Sequence, residues 1–115
     1  LSGLIEIEVA TVLGGALISV SGEIDVSNCA ELEERLGDQL AKESPTVLDM
    51  REVEFIGSAG VRVLLQWAGQ ARKLGFAVAI VASSKAVLRP LAVTGADAEI
   101  AVFPNTTEAL DFVRS

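Results

Sequence analysis

The sequence predicts an α/β fold in which a mixed, mostly parallel sheet is flanked by helices in the order β-β-α-β-α-β-α-β-α, and three features predict it. A period-two apolar alternation opens the chain as a hairpin. Apolar stripes at helical spacing then alternate with short β-favouring runs. One of those runs, Phe76 to Ala82, is apolar throughout, as in a strand covered on both faces rather than an edge strand.

Ile5, Ile7 and Val9 alternate with Glu6, Glu8 and Ala10, the signature of a strand with one buried and one wet face. Gly14-Gly15 supplies two residues that tolerate positive φ, and Leu17 to Ser21 resumes the alternation. The two segments read as an antiparallel hairpin leading into a loop at Gly22-Glu23-Ile24-Asp25. Asn28 with Glu31 fits a capping pair, and Cys29, Leu32, Leu36 and Leu40 form the stripe of an amphipathic helix ending before Ser44-Pro45. Thr46 to Met50 reads as a short strand and Arg51 to Gly57 as a loop. Val61, Leu64, Leu65 and Ala68 make a second helical stripe closing at Gly75, with Ser58 at its start. Ser83-Ser84 caps a third helix that Pro90 should kink or end, because proline lacks an amide hydrogen and clashes with the preceding turn. Ile100 to Phe103 reads as the last strand, and Asn105 with Glu108 caps a terminal helix turning Ala109, Leu110 and Val113 inward.

The 115 residues are half hydrophobic, enough for one packed core, and a single domain over 1–115 is expected. Sixteen acidic residues against nine basic ones give a net charge of −7, which repels a phosphate backbone and an anionic membrane surface, so no nucleic-acid or membrane partner is expected. The chain has no histidine and one cysteine, Cys29, which argues against zinc modules and most small hydrolases. Its longest apolar run is far shorter than the roughly 20 residues of a transmembrane helix, and no secretory leader opens it, so a cytoplasmic location is expected. The glycines form no phosphate-cradling pattern, and neither cofactor nor metal is expected.

The stretch from Leu48 to Val61 is the most informative, because a strand feeds a glycine-flanked loop that puts the Ser58 hydroxyl at a helix start, on the edge of a parallel sheet where ligands and partners dock. Ser58 is either an N-cap alone or a group presented to a partner. A nucleophilic role lacks a base: there is no histidine, and Lys42, Lys73 and Lys85 show no motif spacing to Ser58. A phosphoacceptor needs only exposure and a setting that tolerates the product, which the free amides and positive dipole end of a helix provide. Asp25 can start the first helix as a local cap, and Asp49 reads as a hydrogen-bond acceptor at the end of a strand. Met50 and Val61 read as core residues by their period, with exposed contact residues near Ser58 as the alternative, Trp67 as partly buried rather than an interface anchor, and Cys29 as buried and inert.

The order of elements, Gly22-Glu23-Ile24-Asp25, Leu48-Asp49-Met50, Val53-Glu54-Phe55-Ile56, Ser58-Ala59-Gly60 and Ala109-Leu110 together resemble the STAS domain, and specifically the anti-sigma-factor antagonists, over nearly the whole chain. The resemblance implies a regulatory monomer without catalytic activity that works by partner switching. The unphosphorylated antagonist binds an anti-sigma factor with a GHKL-type serine kinase fold, the kinase phosphorylates the serine matching Ser58, the complex dissociates, and a serine phosphatase resets it. Asp25, Gly57, Ser58, Ala59, Gly60 and Val61 are the implied partner-binding positions, within a surface that Asp25, Glu52 and Glu54 make acidic; Asp25 matches the family's acidic position near the acceptor serine, a role weighed evenly against that of a local cap. The chain departs from the family at Gly57, where aspartate is common, and at Ala59, where serine is frequent. Under the same resemblance, the alternative is a STAS scaffold or regulatory module of a transporter or lipid-transport ATPase complex that is not phosphorylated.

Overall fold

The computed structural model describes residues 4–12 and 14–115. Among them, β1 (Ile5–Val12), β2 (Gly15–Ile24), β3 (Thr46–Ile56), β4 (Val78–Val81) and β5 (Ala101–Phe103) form one sheet in the order β1-β2-β3-β4-β5. The β1–β2 pair is antiparallel and the other three pairs are parallel. The helices are α1 (Cys29–Ala41), α2 (Ser58–Leu74), α3 (Lys85–Val93) and α4 (Thr106–Arg114), with a 3-10 turn at Ala96–Ala98. The expected element order holds.

Two cores sandwich the sheet. Ile18, Val20, Leu48, Met50 and Ile80 point to one face and pack with Leu32 and Leu36 of α1, Leu64 and Trp67 of α2, and Leu91 of α3. On the other face Val47, Ala79 and Val81 pack beneath Ala109 and Val113 of α4. Alternate residues of β4 therefore belong to different cores, as an uninterrupted apolar run requires. Helix α4 packs on β3, β4 and β5 with Leu17 of β2 at the edge of its core, and a shallow groove of about 200 Å³ on the same face is lined by Glu6, Glu8, Ser19, Ser21, Asp49 and Glu52.

Both segments expected to be loops are strand. Strand β2 runs through Gly22 to Ile24, and β3 through Arg51 to Ile56. Bulges hid them. Ser19 faces Asp49 but Ser21 faces Glu52, and Gly22 faces Val53 but Glu23 faces Phe55, so β3 carries one extra residue at each shift. The inward positions of β3 become Met50, Val53 and Ile56, every third residue, while Arg51 with Glu52 and Glu54 with Phe55 face outward in pairs. Gly22 is the conformational exception in β2: its φ is +102°, and a Cβ there would lie 2.3 Å from the Leu4 carbonyl oxygen.

At the hairpin, Val12 pairs with Gly15, so Gly15 already belongs to β2 and Gly14 alone of the two glycines takes a positive φ, of 83°. Pro90 neither ends α3 nor prevents its last turn, which runs to Val93. The helix loses one backbone hydrogen bond there and is held by the buried side chains of Val87 and Leu91 on either side of the proline.

Asp49 lies within β3 rather than at its end, and it accepts hydrogen bonds from the Arg51 backbone amide (3.1 Å), Nε (3.0 Å) and Nη2 (2.8 Å). Burial pushes the Asp49 carboxyl up, but these bonds and the guanidinium charge outweigh it and hold the carboxyl below its ordinary range. A lowered folded-state pKa contributes stability above the unfolded value, and that stability is lost as pH falls through the folded value. Arg51→Ala should remove the two guanidinium bonds and the positive charge while the backbone amide bond at position 51 remains, raise the Asp49 titration relative to wild type, and cost about 1 kcal/mol at neutral pH. Carboxyl carbon NMR of the two proteins from pH 2 to 7 checks it: an unmoved Asp49 titration contradicts this account.

Candidate functional site

The ends of β2 and β3 fix the site. Ile24 pairs with Ile56, so Asp25 and Gly57 leave the sheet side by side, and the Gly57 amide donates to the Ile24 carbonyl at 2.9 Å. Gly57 has φ −87° and ψ 177°, the extended conformation of a helix N-cap, and its carbonyl accepts the first helical bond from the Val61 amide at 3.1 Å. The cap of α2 is thus Gly57, with no side chain to bond a first-turn amide. Ser58 is not the cap. It is the first helical residue, is exposed, and its hydroxyl has no hydrogen-bond partner among the described residues.

The loop before α1 is tied down beside it. Asp25 Oδ1 accepts from the Ser27 amide (2.9 Å) and Ser27 hydroxyl (2.5 Å), and the Asp25 carbonyl accepts from the Cys29 amide (2.9 Å). The local role weighed for Asp25 is present, and its half-buried side chain still borders the rim. Asn28 precedes α1 but makes no side-chain cap with Glu31, contrary to expectation. Its buried amide accepts from the Asp25 backbone and donates to the Glu23 carbonyl at 2.7 Å, so it bridges the loop to the strand end instead. Asn105 does cap α4, accepting from the Glu108 amide at 2.9 Å. Cys29 is half-buried rather than buried.

Of the six expected contact residues, Asp25, Gly57, Ser58 and Ala59 reach the surface. Gly60 and Val61 are buried and shape the site from below. A Cβ on Gly60 would lie 2.8 Å from Ile24 Cγ2 and Ile56 Cγ1, so the missing side chain is what lets α2 seat against the strand ends. Met50 is fully buried, as its period suggested, and Trp67 is more buried than expected. Glu52 lines the groove with Glu6, Glu8 and Asp49 on the open sheet face.

Two surface residues were missed by the sequence reading. Val26 is 82% exposed and Phe55 49% exposed, and the Phe55 ring lies 3.5 Å from where a Cβ on Gly57 would stand. Exposed apolar groups beside an exposed hydroxyl make a surface suited to another protein. A groove of about 350 Å³, bounded by Ala68, Arg72, Phe76, Glu99 and Phe112, lies at the far end of α2, about 20 Å along the helix. Among the described residues no three of histidine, cysteine, aspartate and glutamate gather where a metal could sit.

The glycine at the cap is not required by the backbone, since φ is negative and a Cβ would meet only ordinary van der Waals contacts. Gly57→Asp should place a carboxylate on the free first-turn amides and raise stability by about 0.5 kcal/mol. Denaturant midpoints check this, and a lower midpoint for the variant contradicts the assigned cap.

The family model described as the STAS domain matches residues 6–109. The chain is 37% identical over 114 residues to the anti-sigma-F factor antagonist RsfB of Mycobacterium tuberculosis, covering 96% of this chain and 90% of that one. It superposes on the crystal structure of an anti-sigma factor antagonist from Mycobacterium paratuberculosis with a TM-score of 0.87 at 36% identity, over 100% of both chains. The anti-sigma factor antagonist SpoIIAA, in its unphosphorylated form, superposes with a TM-score of 0.78 at 16% identity, over 95% of this chain and 96% of that one, a likeness of fold.

Proposed function

The chain belongs to the STAS domain family, and from that premise we propose that it is an anti-sigma-factor antagonist that docks through the rim at Asp25, Gly57, Ser58 and Ala59 and is released by phosphorylation of Ser58. It acts as a cytoplasmic monomer, its single domain taken as 1–115, and its partner is an anti-sigma factor with a GHKL-type serine kinase fold, with a serine phosphatase resetting the switch. One observation carries this reading: Ser58 stands exposed and unbonded on the first turn of α2, between a loop and a strand end that present Val26 and Phe55 to solvent.

The mechanism is steric and electrostatic. In the free protein the rim offers apolar contact around a small neutral hydroxyl. Phosphoryl transfer to the Ser58 hydroxyl adds about −1.5 to −2 charges, in a chain that is already at −7, and inserts a bulky hydrated anion where the partner must pack. The first-turn amides and helix dipole stabilise that anion, so the modified state is tolerated by the fold while the complex is not.

The test is capture from lysate of the source cells with tagged wild type and tagged Ser58→Asp, both shown to be folded. A kinase-fold anti-sigma factor retained by wild type and lost by the variant supports the switch. The second reading, a constitutive scaffold, is favoured by Gly57 standing where the family commonly has aspartate. It predicts transporter or lipid-transport ATPase subunits retained equally by both baits.

A further inference from the structure

Helix α2 differs in charge from the rest of the chain. Although the protein carries a net charge of −7, Ser58–Leu74 contains no aspartate or glutamate, and Arg62 is its one ionised side chain before Arg72 and Lys73 in the last turn. Arg62 is exposed, and it takes part in neither of the ion pairs among the described residues, Arg51 with Asp49 and Arg72 with Glu99. On its own helix the residues three and four positions away are Ser58, Ala59, Leu65 and Gln66, none of them a carboxylate. Ser58 and Arg62 are four positions apart, which places both on one helix face with Cβ atoms about 5–6 Å apart.

We propose that Arg62 is the intramolecular counter-ion of the phosphoryl group on Ser58. The proposal rests on Ser58 as the phosphoacceptor and adds a positioning residue to that site. A guanidinium offers a planar fork of donors that matches phosphate oxygens, and a side chain one turn along the helix is long enough to reach them. The first-turn amides meet the same anion from the helix end, Gly57 contributes no carboxylate to oppose it, and the carboxylate across the rim, Asp25, is engaged by the Ser27 amide and hydroxyl. Arg62 therefore draws the phosphate along the exposed face of α2 and holds it over the surface that a partner docking at Ser58 must cover.

The test uses the full chain with phosphoserine installed at position 58 during translation, so that no kinase is needed, in the wild-type background and with Arg62→Gln or Arg62→Lys. In phosphorus NMR followed against pH, the wild-type phosphate should ionise below its ordinary value near 6, Arg62→Gln should raise that value by about 0.5, and Arg62→Lys should fall between the two. Coincident wild-type and Arg62→Gln titrations overturn the proposal, as does an Arg62→Lys curve identical to that of Arg62→Gln, with circular dichroism showing all three folded. Phosphorylation of unmodified protein by the anti-sigma factor and ATP is measured separately. A negative result there removes the reading of Ser58 and leaves the titration result standing.

Discussion

Replacing Ser58 by aspartate should weaken binding to the anti-sigma factor at least about tenfold, or 1.4 kcal/mol, without harming the fold. Ser58 is exposed and unbonded, so its replacement breaks no contact within the protein. A carboxylate in the first turn of a helix is favoured by the dipole, so the variant should unfold at the same denaturant concentration as wild type or slightly higher. The loss appears only in the complex, where a fixed negative charge must be desolvated against the partner. Ser58→Ala is the control: it removes one exposed hydroxyl and should bind within about threefold of wild type. Calorimetric titration of the purified partner with the three proteins measures this, and equal affinities for wild type and Ser58→Asp contradict the docking surface assigned here.

Gly22→Ala should cost about 3 kcal/mol, the largest stability loss of any single methyl addition proposed for this chain. Two penalties coincide. The residue has a φ of +102°, which L side chains rarely adopt, and its Cβ would stand 2.3 Å from the Leu4 carbonyl oxygen, a backbone atom that cannot move without shifting β1. Gly22 also stands at the second bulge, where the register against β3 steps from Val53 to Phe55. Relief of the strain would disturb the strand ends that carry Asp25 and Gly57. Gly37→Ala gives the contrast: it lies mid-helix in α1 with no heavy atom within 4 Å of the added Cβ, and it should gain up to about 1 kcal/mol. Urea unfolding of both variants decides the matter, and a midpoint for Gly22→Ala within error of wild type refutes the assigned strain.

What was legible in the sequence was whatever a fixed period could reveal. The alternation at Ile5, Ile7 and Val9, the stripe at Leu32 and Leu36, and the apolar run from Phe76 to Ala82 each report one simple geometry, and each element is present, although β4 occupies only Val78–Val81 of its run. The second half of β3 obeys no such period, because two extra residues turn its inward positions into Met50, Val53 and Ile56, and a spacing of three in a short polar segment reads as loop. The same bulges expose Phe55, so the apolar part of the rim was hidden along with the strand. Ser58 was found because a hydroxyl after a strand and before an apolar helical stripe is a local signal. Its displacement from the cap by Gly57 was not, since capping is decided by backbone angles that either residue could adopt. Asn28 misled for a related reason. Its spacing to Glu31 fits a capping box, but a buried amide can be satisfied equally well by two loop backbone groups, and here it is.

The most direct measurement is to incubate the purified protein with its captured anti-sigma factor and ATP, then locate any phosphoryl group by tandem mass spectrometry while following the complex by size-exclusion chromatography. The account predicts a single phosphoryl group on Ser58 and dissociation of the complex as it accumulates. A complex that survives ATP with Ser58 unmodified, or modification at another residue such as Ser27, would contradict it.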